Sequence, residues 1–286
     1  MTAANSRQRD MRAAAPARLE PRLLSNGHAA PILVADFQPF SASARLSDLI
    51  SAKARDSPVY QLDPLVCLSQ RDTYLTLADI AGEYAAAFEV ADPVSSEFCV
   101  VGYCSAAALA LHIARLLAGT RKAVTILVRP VWPDTALVHR QFAQFRTELG
   151  SRHHARPDLN CDPGQVIKEM EGMLRADLSA LAAERGVRQT NPAFTVLLKR
   201  YRAWLSFLLA IRNDLPLPWA LDERVCVFAG TSEPVVIPWG GASDCEVTRL
   251  TSLDAEPLVS PDLAGAVLAL AVSGDADGVL RDARDR

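Results

Sequence analysis

Through its first half the chain alternates short apolar runs with amphipathic stretches. Pro31-Ile32-Leu33-Val34-Ala35 is an unbroken apolar run ending at Asp36, the pattern of a buried strand. Ser41 to Ala54 carries Leu46, Leu49 and Ile50 at helical spacing. Pro58 to Leu62 is a second strand, stopped by Asp63-Pro64. Thr76 to Phe88 reads as a helix with Thr76 as its N-cap and Leu77, Ile80, Ala81 and Tyr84 on one face. Phe98-Cys99-Val100-Val101 is a third strand that runs straight into a small-residue-rich helix, Ser105 to Ala118, and Ala123 to Val128 is a fourth. This rhythm predicts an α/β fold: a mostly parallel sheet with helices on both faces.

From Asp134 to about Ala220 the rhythm changes. Gln165 to Arg185 and Ala193 to Arg212 predict two long helices with no strand between them. Alternation resumes with a strand at Arg224 to Ala229, a last short strand near Val247 to Leu250, and a helix from Pro261 to Val272. The expected organisation is a disordered arm over 1–30, one α/β domain over 31–272 interrupted by a helical insertion at about 134–220, and a tail over 273–286.

Composition narrows the picture. Half of the 286 residues are hydrophobic and 22% are charged, which excludes disorder for the bulk of the chain. A net charge of −3 gives no electrostatic case for nucleic acid or an anionic membrane. The six cysteines, at 67, 99, 104, 161, 226 and 245, form no C-x-x-C pair and no cluster with histidine, so no metal site is expected. Residues 1–30 hold no apolar block of secretory type, and no apolar stretch is of membrane-spanning length. The expectation is a soluble, reduced, cytoplasmic protein.

The candidate chemistry lies at Val101-Gly102-Tyr103-Cys104-Ser105-Ala106, where a strand turns at once into a helix. A nucleophile elbow is so tight that it needs small residues two before and two after the nucleophile, and Gly102 and Ala106 hold those positions. Such a turn lifts the Cys104 sulfur above the sheet at a helix N-terminus, where a lowered thiol pKa is expected. The Ser105 N–H would face an oxyanion, and a second donor would come from Asp36-Phe37-Gln38, with Phe37 as candidate. The alternative is a cysteine that merely fills space at a strand end.

The succession of Pro31–Val34, Pro58–Leu62, the Ala78–Tyr84 helix and Val101-Gly102-Tyr103-Cys104 resembles the thioesterases of nonribosomal peptide and polyketide synthesis, members of the α/β-hydrolase superfamily. The resemblance runs from about Pro31 to Val272, with motif-level matching in the first half. It implies an α/β-hydrolase-like fold, a lid formed by the helical insertion and Cys104 as nucleophile. It also implies an acyl or peptidyl carrier protein as partner, its phosphopantetheine presenting the substrate, and no cofactor of the protein's own.

The chain departs from that family in three places. Ala35-Asp36-Phe37-Gln38-Pro39 replaces a glycine-rich loop after the first strand. The usual acid position falls near Arg129; Asp134 lies too far along the loop, and Glu233, in Gly230-Thr231-Ser232-Glu233, is the better acid candidate. A solvated turn carboxylate is its alternative. The catalytic histidine is missing from Thr251–Pro257, where only Asp254 and Glu256 offer a base. All five histidines (28, 112, 139, 153 and 154) precede that segment. His112 is about 12 Å along a helix from Cys104, and His139, His153 and His154 belong to the insertion.

Serine without histidine would be inert, whereas a cysteine supplies some thiolate unaided. The leading expectation is therefore acyl or aminoacyl transfer through a Cys104 thioester. Two alternatives stand beside it: a catalytically inactive thioesterase-like binding partner of an assembly line, and a hydrolase whose base comes from the lid.

Overall fold

A computed structural model describes residues 18–37, 45–152, 155–186, 192–214, 224–236, 238, 245–254 and 260–273. Seven strands form one sheet: β1 (Arg22–Ser25), β2 (Ile32–Ala35), β3 (Val59–Leu62), β4 (Glu97–Tyr103), β5 (Lys122–Val128), β6 (Arg224–Ala229) and β7 (Cys245–Arg249). Their order across the sheet is β1-β3-β2-β4-β5-β6-β7, and every pairing is parallel except β1 with β3. β1 corrects the reading of 1–30 as an arm throughout. Arg22 to Ser25 has too little apolar patterning to announce a strand, and its order comes from hydrogen bonding to the free edge of β3.

The described helices are α1 (Leu46–Lys53), α2 (Pro64–Leu68), α3 (Leu77–Ala91), α4 (Ala107–Ala118), α5 (Thr135–Glu148), α6 (Pro163–Glu184), α7 (Pro192–Asp214) and α8 (Pro261–Ser273). Their starts follow local chemistry. Thr76 and Asp79 form a reciprocal capping box on α3, with Asp79 N–H donating to Thr76 Oγ1 at 3.0 Å and Thr76 N–H to Asp79 Oδ2 at 3.0 Å. Asp63-Pro64, read as a strand stop, also starts a helix: Asp63 caps α2 and Pro64 occupies its first turn. Asp162-Pro163 does the same for α6.

Alternate residues of each strand feed two cores, as a sheet with a period of two requires. Ile32, Val34, Val101, Tyr103, Ile126, Val128 and Phe228 pack with residues of α1 and α8. Leu33, Ala35, Val100, Leu127 and Val227 pack on the opposite side, with α3, α4 and the insertion helices α5 to α7. α7 is the deepest of the insertion helices, with every residue from Tyr201 to Ile211 buried. α5 was absent from the sequence reading, because its apolar positions (Val138, Phe142, Phe145) are diluted by charge.

Candidate active site

β4 ends at Tyr103, and Cys104 to Ala106 forms a 3-10 turn before α4 begins at Ala107. Cys104 has φ +55°, one of two non-glycine residues in the described chain with positive φ. Left-handed backbone at a non-glycine residue costs about 1–3 kcal/mol and persists only where its surroundings impose it. Gly102 shows what imposes it here. A Cβ at that position would lie 2.6 Å from the Ala107 Cα and 2.7 Å from the Ala110 Cβ, so the returning helix lies directly against the strand. Ala106 is buried in the same crossing. Gly102, Cys104 and Ala106 thus build a tight strand–helix elbow.

The Cys104 thiol is half-buried, and its pKa is raised rather than lowered. Burial is the largest cause; hydrogen bonding from the Ser105 backbone and side chain and the charge of Arg129 oppose it, while Glu233 adds to it. This corrects the expectation of a depressed thiol. Desolvation of the thiolate outweighs the lowering by Ser105 and Arg129. The Ser105 amide, the first oxyanion candidate, is engaged with the Cys104 sulfur.

The second oxyanion candidate, Phe37, follows β2 and has a buried side chain. Its ring stacks edge-on against Phe207 of α7 at 4.7 Å between centroids and against Trp204 at 6.5 Å. The insertion therefore packs onto Phe37 directly after β2. Asp36, just before it, is buried and accepts from the Ser47 N–H at 2.6 Å, while its Oδ1 has no hydrogen-bond partner among the described residues. Desolvation raises the Asp36 pKa. Gln38 lies outside the described residues.

At the end of β5 stands Arg129, φ +45°, in the place where an acid was sought. Its guanidinium grips Glu233: Nη2 to Oε1 at 2.6 Å, and Nε to both carboxylate oxygens at 3.0 Å. Glu233 also accepts from the Gly230 N–H at 3.2 Å. These contacts, the arginine first, hold its pKa below the ordinary carboxylate value. A carboxylate so satisfied is a poor proton acceptor. Asp254, in the segment that lacks the histidine, accepts from the Thr231 N–H at 3.0 Å and from the Thr231 hydroxyl, and its pKa is likewise lowered. Arg249 binds the backbone carbonyls of Gly230 and Glu233 and closes the loop.

The remaining candidates are placed elsewhere. Asp134 caps α5, accepting from the Leu137 N–H at 2.7 Å. His139 bonds the Pro157 carbonyl within the insertion, 3.0 Å away. His112 is buried in α4. His153, His154 and Glu256 lie outside the described residues. Sequence reasoning passed over Arg129 as a mere absence of acid; an arginine immediately after the apolar run ending at Val128 was the available signal. Among the described residues no group of three or more His, Cys, Asp or Glu could hold a metal ion, and no helix is long and apolar enough to cross a membrane.

The elbow, the sheet order and the helical insertion after β5 together define one architecture. The chain has the α/β-hydrolase fold. Solved structures share it across most of its length. A four-domain nonribosomal peptide synthetase, holo-AB3403 bound to AMP and glycine, matches with a TM-score of 0.57 at 15% identity over 87% of this chain. The present chain spans 20% of that synthetase's length. The Vlm2 thioesterase domain with a bound dodecadepsipeptide matches at TM-score 0.52 and 14% identity, covering 89% of this chain and 97% of the domain. An α/β hydrolase family protein from Desulfitobacterium hafniense gives 0.51 at 14% identity, covering 87% of this chain and all of that one (100%). No family model and no curated protein sequence matches the chain.

Proposed function

We propose that the protein is a thioesterase-like acyltransferase that receives an acyl or aminoacyl group as a thioester on Cys104 and passes it on by a second thiol exchange. The observation that carries this reading is the strained backbone of Cys104 in an elbow built by Gly102 and Ala106. A cysteine serving only as core filling has no need of positive φ, whereas a nucleophile presented over a sheet does. Fold neighbours that include a thioesterase domain and a nonribosomal peptide synthetase support a place in natural-product assembly. The partner in this reading is an acyl or peptidyl carrier protein whose phosphopantetheine thiol carries the substrate, and the protein needs no cofactor of its own.

The chemistry follows from what surrounds the sulfur. The Cys104 thiolate attacks the thioester carbonyl, a carbon–sulfur bond forms, and the tetrahedral adduct expels the carrier thiolate. That thiolate takes up the proton Cys104 has lost, so the exchange is nearly thermoneutral and consumes no co-reactant. The Ser105 N–H, released from the sulfur as the negative charge passes to the carbonyl oxygen, and the Phe37 N–H are the proposed oxyanion donors. Hydrolysis demands more, since water must surrender a proton during attack. Glu233 is committed to Arg129, Asp254 to Thr231 and His139 to a backbone carbonyl. With its carboxylates so occupied, the site favours transfer over hydrolysis.

Two observations favour a non-catalytic binding role instead: burial raises the Cys104 pKa, and α7 packs against Phe37 just after β2. Incubation with acetyl- and aminoacyl-pantetheine thioesters, followed by intact-protein mass spectrometry, separates the readings. One acyl mass on the parent protein, absent from Cys104→Ala, is the expected result. No adduct, or an adduct that survives the substitution, overturns acyl transfer and leaves the binding role.

A further inference from the structure

Tyr103 and Val128 are paired residues at the ends of the adjacent parallel strands β4 and β5, so Cys104 and Arg129 leave the sheet side by side. Paired strands place such Cα atoms roughly 5 Å apart. Both residues have positive φ, and they alone among the described non-glycine residues do. The two loops are also tied together, for the Val131 N–H donates to the Cys104 carbonyl at 3.2 Å, while the Arg129 N–H donates to the Phe228 carbonyl of β6 at 2.8 Å. A strained arginine beside a strained cysteine needs a reason. The backbone alone supplies none, since a glycine would adopt this conformation without strain.

We propose that Arg129 is the positioning cation of this site: held by Glu233, it sets its guanidinium beside the Cys104 sulfur and stabilises the thiolate in place of a histidine. The inference rests on the reading of Cys104 as the nucleophile and deepens it. Where a triad delivers a base, this arrangement delivers a fixed positive charge. A fixed charge offsets part of the desolvation of a buried thiolate but removes no proton from water. It therefore assists thiol exchange in both directions while leaving hydrolysis without help. Glu233 has a double effect. It orients the guanidinium through three contacts, and its own negative charge tempers the field at the sulfur.

Among the described residues, these groups act on the Cys104 sulfur. Ser105 donates to it from the elbow, Arg129 and Glu233 act on it from the loops after β5 and β6, and the neutral phenol of Tyr103 precedes it. Asp36 and Asp254 act on Tyr103 and on Glu233 respectively.

The test is the pH dependence of Cys104 alkylation by iodoacetamide, followed by peptide mass spectrometry in a Cys161→Ser background that removes the exposed thiol. Arg129→Gln should raise the apparent thiol pKa and slow alkylation at pH 7.5 roughly tenfold, the change that one pKa unit represents. Arg129→Lys should restore much of the loss. Circular dichroism checks each fold; should Arg129→Gln not fold, Arg129→Met, neutral and of similar length, takes its place. Superimposable profiles for the parent and the neutral Arg129 variant overturn the proposal. Failure of the acyl-transfer reading shows up separately. There, pantetheine thioesters would leave Cys104 unloaded while its alkylation still depended on Arg129.

Discussion

At the scale of single residues, the turn around Cys104 depends on what Gly102 lacks. A methyl group there would meet the Ala107 backbone, which cannot yield as a flexible side chain can. Gly102→Ala is expected to destabilise the protein by about 1–3 kcal/mol, the usual cost of overpacking. Urea denaturation would show this as a lower midpoint at unchanged slope; an unchanged midpoint would mean that α4 is free to shift. Asp36 offers a second residue-scale test. Its carboxyl pKa is raised by burial, so the stability it contributes is complete below the ordinary carboxylate pKa and is lost as pH rises through the folded value. Asp36→Asn keeps an acceptor for the Ser47 N–H and cannot ionise. Its melting temperature relative to the parent should therefore rise between pH 4 and pH 8, and a flat difference would contradict the assignment.

At the scale of elements, the insertion is a packed layer rather than a loose flap. α7 lays Trp204 and Phe207 onto Phe37, and Tyr201 stacks on Phe145 of α5 with centroids 4.1 Å apart. α5 and α6 are joined by a buried ion pair, Arg146 Nε to Asp177 Oδ2 at 2.6 Å, with both side chains less than a tenth exposed. Asp177→Asn leaves the arginine charge buried against a neutral partner and should cost about 3–5 kcal/mol. Lys122 and Glu97 pair at 3.1 Å on the surface, where Glu97→Gln should change stability by less than about 1 kcal/mol. Chemical denaturation of the two variants makes the comparison, and equal effects would refute the argument from burial. α5 also marks where sequence patterning loses its grip. Its charged residues obscure the apolar stripe, and Arg146 turns inward where Asp177 of α6, the Ser151 hydroxyl and the Ala155 carbonyl meet it.

At the scale of the whole molecule, the sheet gathers onto one edge the ends of β2, β4, β5, β6 and β7, and with them Phe37, Cys104, Arg129, Glu233 and Asp254. This convergence has a consequence for pH dependence. With the Cys104 pKa above the usual thiol value, acyl loading should accelerate steadily with pH through at least pH 9. An imidazole base would instead impose a plateau near neutrality. Loading rates from pH 6 to pH 9.5, read by mass spectrometry, distinguish the two; a plateau below pH 8 would point to a base supplied by a histidine.

The parallel sheet, most of its helices and the elbow at Cys104 were determined by the sequence itself, because they rest on local periodicity and on small residues at fixed spacing. So was the lack of a histidine in the segment before α8. Three things were decided only by the tertiary structure. The edge strand β1 exists because β3 presents unpaired backbone groups to it. The Cys104 thiol pKa is raised because burial, a property of the assembled fold, exceeds the pull of Ser105 and Arg129. Arg129 and Glu233 meet because β5 and β6 are neighbours in the sheet although 104 residues separate the two side chains in the chain. Sequence periodicity reports which face a residue turns to the core; only the packed molecule sets its distance to charges on other strands.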